Sequence, residues 1–122
     1  MPSLRWRWLL TLTLRLLITL GFAVAIVSKV SQRTQWADHF VRWGYPAWGA
    51  DATSVIEIVG VIALWVPALA KAGTAILMVV LIGAAGTWLI HGPRLAAIVP
   101  GTLLVMLACL AWFESAVKRA SR

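Results

Sequence analysis

The sequence predicts an all-α protein: an integral membrane four-helix bundle with both termini in the cytoplasm. Three observations carry that prediction. Of 122 residues, 61% are hydrophobic and only 12% charged, whereas soluble domains are about half apolar and about a quarter charged. The apolar residues gather into four runs, about 8–30, 54–69, 73–90 and 95–113, and a helix of roughly 20 apolar residues crosses a bilayer. Cations and tryptophans stand at the ends of those runs, where they orient helices and occupy the headgroup layer. The length suits one membrane domain covering residues 1–122.

The first run, Trp8 to Val30, follows Arg5 and Arg7, is interrupted by Arg15 and closes on Lys29. A cleaved signal peptide ending near Ala23-Val24-Ala25 is the rival reading. Arg15 would then fall inside its apolar core, and the apolar stretch continues past Ala25, so a retained span is expected. Residues 31–53 are the one long polar segment and carry Trp36, Phe40, Trp43, Tyr45 and Trp48 with Gly44, Pro46 and Gly49. Amphipathic aromatics at this density suit the headgroup layer, so an ordered loop or short helix on the outer surface is expected. Asp51 and Thr53 precede the second run and are candidate N-caps.

The second run, about Ser54 to Leu69, is short for a crossing and ends at Pro67. A tight turn at Ala70-Lys71-Ala72 leads to the third run, where Gly83-Ala84-Ala85-Gly86 would let a neighbouring helix approach closely. His91-Gly92-Pro93-Arg94 makes the next turn. Pro100 and Gly101 fall in the early turns of the fourth run, where a kink is expected.

Four spans put both termini on one side. That side holds Arg5, Arg7, Lys71, Lys118, Arg119 and Arg122, against Arg33, Arg42 and Arg94 opposite, with Lys29 as a fourth. The positive-inside rule then places both termini in the cytoplasm, and a multi-pass protein of the cell's inner, plasma membrane is expected. Trp6, Trp8, Trp65 and Trp112 fall near cytoplasmic ends, and Trp36, Trp43, Trp48 and Trp88 near outer ends. The net charge of +7 does not indicate nucleic acid, because the cations form no basic stripe with stacking aromatics. They suit membrane lipid instead.

Glu57 is the residue around which the rest is organised. It is the one charge in the second run, and a carboxylate in hydrocarbon needs a cation, a proton or a water-lined pocket. Lys29 at the outer end of the first span, Glu57 just inside the second and His91 at the outer end of the third are expected at one depth, under the aromatic loop. Lys29 would pair with Glu57. An imidazole, which as a residue type changes charge between pH 5 and 8, would pass protons to the outer water. Trp88, Tyr45 and Trp43 are candidate lining residues of a pocket there. The bland alternative is a helix lock formed by Lys29 and Glu57, with His91 only a loop residue. Arg15 and Glu114 are a second candidate pair, read as structural, because Arg15 can snorkel and Glu114 has Lys118 one turn on.

Several chemistries lack their residues. His39 and His91 stand far apart without Cys or carboxylate at ligand spacing, so no metal site is expected. No Gly-rich phosphate loop, nucleophile elbow or twin-His haem helix is present in the sequence. Cys109 is a single cysteine in an apolar run, expected to face lipid or a helix.

The order of these residues resembles the DoxX-like family of small four-helix membrane proteins. An Arg lies inside the first span (Arg15) and a Lys closes it (Lys29). An aromatic and a Gly-Pro turn follow (Phe40, Gly44, Tyr45, Pro46). Then come Glu-x-x-Gly (Glu57, Gly60), a Pro-(x)-Lys/Arg-x-Gly turn (Pro67, Lys71, Gly73) and a third span ending in His91. The family is similar to the small subunit of a thiosulfate:quinone oxidoreductase. The resemblance therefore implies a membrane subunit of an oxidoreductase, a quinone as the lipophilic carrier, and partner subunits or a homo-oligomer. The redox-active cysteine pair of a thiol relay is missing from the sequence. A non-enzymatic scaffold and a small solute or proton transporter are the alternatives.

Overall fold

In a computed structural model the protein is described over residues 2–120, with side chains from Arg5 to Ser115. Arg122 lies outside the described residues, as do the side chains of Lys118 and Arg119, so the tail cations and the expected Glu114 to Lys118 pair fall there. The described chain is all-helical. It forms α1 (Pro2–Ser31), α2 (Arg33–Arg42), α3 (Gly49–Trp65), α4 (Ala70–His91), a short 3-10 turn (Arg94–Ala97) and α5 (Ile98–Ala120).

This makes five α-helices among the described residues, where the four-helix reading expected four. The additional one is α2, cut from the polar aromatic segment. The four long helices pack in a ring, each on two neighbours in the order α1, α3, α4, α5, and α2 lies against α1 and α3. Three stretches are long and apolar enough to cross a membrane: Arg5–Ser31, Ala70–His91 and Arg94–Ser115. At 17 residues, α3 rises only about 26 Å, against a hydrocarbon core of about 30 Å.

The helix boundaries correct several local expectations. α3 begins at Gly49, not Ser54, so neither Asp51 nor Thr53 is its N-cap. Trp48 stands there without a side-chain cap. Asp51 sits in the first turn and accepts from Arg33 Nη2 at 2.7 Å and Nε at 3.0 Å, which ties α2 to a helix start that favours a negative charge. Thr53 donates instead to the Gly49 carbonyl at 2.8 Å. The turn expected at residues 70–72 falls earlier, over Val66 to Leu69, because Pro67 cannot continue α3. Gly44 (φ +89°) and Gly92 (φ +66°) take left-handed conformations that a side chain would resist, and there the chain leaves α2 and α4.

The interior is a thin apolar core of Ile18, Phe22, Leu64, Leu77, Leu81, Leu103, Leu107 and Leu110. The outside is as apolar as the inside: Leu20, Val24, Val27, Ile62, Val79 and Val105 are all well exposed. In water such a surface would drive aggregation, and it is the surface that lipid solvates. Hydroxyl groups are satisfied inside their own helices. Thr13, Thr53, Ser54, Thr74, Thr87 and Thr102 each donate to the carbonyl four residues back, so these six hydroxyl protons are not left bare toward hydrocarbon.

Where helices gain little from excluding water, close contact must hold them, and small residues permit it. The sequence pointed to the wrong ones. A Cβ on Gly83 or Gly86 would meet nothing within 4 Å. A Cβ on Gly73 would lie 2.8 Å from the Gly60 carbonyl oxygen and 2.8 Å from the Leu64 nitrogen, so α3 and α4 are in backbone contact there. Gly60 in turn receives Leu77, whose Cδ2 would be 2.7 Å from an added Cβ. Gly73→Ala is expected to cost about 1 to 3 kcal/mol by forcing these helices apart. Gly86→Ala should leave stability within about 0.5 kcal/mol. Unfolding in mixed micelles measures both, and equal effects would contradict the crossing described.

Candidate functional site

Lys29 is the last charged residue of α1, and Glu57 lies on the face of α3 that packs against α1. The early start of α3 places Glu57 about 12 Å along its helix from Gly49, deeper than an origin at Ser54 implied. Lys29 Nζ donates to Glu57 Oε1 in an ion pair. The residues are 8% and 3% exposed, so both charges have left solvent together. Each neutralises the other, which is the condition for burying either. Glu57 Oε2 is also buried and has no hydrogen-bond partner. A carboxylate oxygen with its acceptor capacity unused is costly there.

The pair borders an open cavity of about 640 Å³. Lys29 and Glu57 line one side with Phe22 and Ile56, and Val79, Gly83, Ala84 and Thr87 line another from α4. The Gly-Ala patch thus opens space for the cavity instead of drawing a helix in. Trp36, Phe40, Trp43, Tyr45 and Trp88 line it as well, so the three expected lining residues Trp88, Tyr45 and Trp43 all do so.

The aromatics hold one another as a cap. Trp88 meets Trp43 edge-on at 5.0 Å and Trp36 edge-on at 6.3 Å between ring centroids, the arrangement that ring quadrupoles favour. Polar tips fasten the cap to the bundle. The Trp36 indole donates to Ser28 Oγ at 3.3 Å, and the Tyr45 hydroxyl lies 3.0 Å from Thr87 Oγ1. Since Thr87 spends its proton on Gly83, Tyr45 is the donor. Phe40 packs over Gly49, where a Cβ would lie 2.7 Å from the ring.

His91 does not join Lys29 and Glu57. It is exposed at the end of α4 and stacks on Trp43 at 6.2 Å with an interplanar angle of 24°. His39, which sequence reasoning passed over, stacks on Trp43 at 5.5 Å and 23°, and its Nδ1 lies 3.0 Å from Arg42 Nη2. Both histidines therefore belong to the rim. Helical spacing of three to four residues from Trp36 to His39, Phe40 and Trp43 was the available signal for a ring-bearing face on α2.

At the opposite end of the bundle, Arg15 Nη2 donates to Glu114 Oε1 and joins α1 to α5. The Trp65 indole donates to Thr19 at 2.9 Å. Cys109 is a free, exposed thiol.

The sequence model of the DoxX-like family matches residues 13–110, which takes in Arg15, Lys29, Glu57 and His91. No curated protein and no solved structure matches the chain.

Lys29→Met, which leaves Glu57 buried and unpaired, is expected to cost about 3 to 5 kcal/mol. The double variant Lys29→Met/Glu57→Met, of similar volume and without charge, should recover most of that loss. A double-mutant cycle of unfolding in mild detergent measures the coupling. Additive losses would mean that the two charges do not depend on each other.

Proposed function

The chain belongs to the DoxX-like family, and from that premise we propose that it is a membrane subunit of an oxidoreductase that holds a quinone in the cavity beneath the aromatic cap. The observation that carries this reading is a single one: a cavity of about 640 Å³ whose walls are aromatic and whose one charged patch is a buried Lys–Glu pair with a free carboxylate oxygen.

The residues present suit such a ring. Ligand sites are mostly apolar with a few placed polar groups, and run to about 300 to 1,000 Å³. A flat ring between Trp43, Trp88 and Phe40 meets faces and edges of other rings. The Lys29 ammonium has three donors, one of them engaged by Glu57, so another is available for a ring carbonyl oxygen. Glu57 Oε2 suits the hydroxyl that a reduced ring carries. A quinone takes up two electrons and two protons to become a quinol. The chain's part is to bind and orient the ring, keep bulk water away with the cap, and offer an acceptor and a donor at the ring oxygens. The electrons come from a partner subunit in this proposal. His91 and His39 stand at the rim, stacked on Trp43.

The same proposal has α3 as a short fourth crossing beside the three long apolar stretches. Both termini are then cytoplasmic, and the cap lies on the outer face of the inner membrane. The charge bias of the loops supports that orientation. A scaffold reading rests on the fact that the ion pair also fastens α1 to α3.

Tryptophan emission separates the two readings. A decyl-substituted benzoquinone should quench it saturably in the purified protein. Trp88→Leu is expected to weaken binding about tenfold by removing a wall of the slot. Glu57→Gln should do so to a similar degree, because it removes the charge that aims Lys29, and one lost charge-assisted hydrogen bond is worth about 1.5 to 3 kcal/mol. If Glu57→Gln lowers thermal stability while quinone binding is unchanged, the pair is a lock and the scaffold reading stands.

A further inference from the structure

A second cavity, also of about 640 Å³, opens at the other end of the bundle between α1, α3, α4 and α5, and it differs in chemistry from the first. Arg15, Lys71 and Glu114 line it, so it holds two cations and one anion. Glu114 is already engaged with Arg15 Nη2. Lys71 is exposed and forms no ion pair among the described residues. The Arg15 Nε–H is buried and lacks any hydrogen-bond acceptor. A guanidinium with an unused donor favours an anion nearby, and phosphate oxygens are what guanidinium and ammonium groups bind. Thr74 and Ser115 line it as well, and its apolar part comes from Leu64, Met78 and Ala75 with Trp65. Trp65 already spends its indole proton on Thr19, so its ring is a wall at headgroup level.

We propose that this cavity is a binding site for the headgroup of an anionic phospholipid. Its phosphate lies between Arg15 and Lys71, and the first carbons of its acyl chains lie on Leu64, Met78 and Ala75. The shared chemistry with free phosphate is the phosphoryl oxygens, but a phosphate ion would leave the apolar wall unfilled. A lipid fills both parts. The site stands apart from the quinone reading, since it shares no residue with the first cavity. It also accounts for Arg15 inside an apolar span: the residue is anchored to Glu114 through Nη2 and, in this proposal, shares the anionic headgroup with Lys71. Basic pockets between spans are the usual hosts of anionic headgroups.

The test uses the full chain purified in dodecyl maltoside. Phosphatidylglycerol, phosphatidylcholine and inorganic phosphate are added separately, with retained lipid read by native mass spectrometry and the melting temperature read in parallel. The expected result is retention of phosphatidylglycerol about tenfold over phosphatidylcholine. Lys71→Gln, an exposed change that leaves the core intact, should cut that retention about fivefold, the effect of one cation near an anionic headgroup. Arg5→Gln/Arg7→Gln, which removes charge outside the cavity, should change it less than twofold. Equal retention of the two lipids would overturn the proposal, as would no effect of Lys71→Gln or an equal loss in the Arg5/Arg7 variant. Displacement of the lipid by millimolar inorganic phosphate, with the same rise in melting temperature, would replace it with a free-phosphate site.

Discussion

The structure depends on the ion pair between Lys29 and Glu57. Two charges buried in an apolar bundle are tolerable only together, so each dictates where the other's helix sits. Lys29 fixes which face of α1 turns inward at that end, and Glu57 does the same for α3. The Gly60/Gly73 contact then determines how closely α4 lies on α3. The cavity is the space left when α3 is held to α1 by a polar clasp at one level and to α4 by backbone contact at another. The aromatic cap rests on that frame, through Trp36 on Ser28 and Tyr45 on Thr87.

The bundle repeats one device at its two ends. Each has a cation from α1 paired with an acid from a neighbouring helix, and a cavity beside the pair with tryptophan in its lining. The difference lies in which atom is left without a partner. At the capped end it is a carboxylate oxygen, and at the other it is a guanidinium nitrogen. An unused acceptor and an unused donor ask for opposite ligands. That contrast underlies the assignment of a hydroxyl-bearing ring to one cavity and an anionic headgroup to the other.

Much of this was legible in the amino-acid order, for identifiable reasons. The apolar runs became helices because hydrocarbon leaves the backbone no other way to satisfy itself. The two ion pairs were readable because a charge inside such a run has few partners within reach. Trp43, Tyr45 and Trp88 were found as lining because aromatics at the end of a span collect in one layer. The misses also have causes. α2 was expected only as an ordered loop or short helix, because no span rule applies in its polar segment. The start of α3 was displaced because Gly49 to Thr53 reads as turn and cap material, yet continues the helix outward. The Gly83–Gly86 patch suggested close packing, but a glycine says only that a neighbour can come near. At Gly73 one does, and at Gly83 the room became cavity. His91 was placed with the pair because one-dimensional depth counting cannot see that α4 ends at the rim.

The shortest long helix, α3, bears the most weight, since its 17 residues carry the acid. If α3 crosses the bilayer as proposed, the segments at its two ends lie on opposite sides. Cysteines placed at Ala47 and at Ala68, each in a Cys109→Ala background, decide this by labelling intact cells with a membrane-impermeant maleimide. The cysteine at position 47 should label from outside, and the one at 68 only after the membrane is permeabilised. Labelling of both from the same side would mean that α3 does not cross and that its carboxylate is held at one surface of the bilayer.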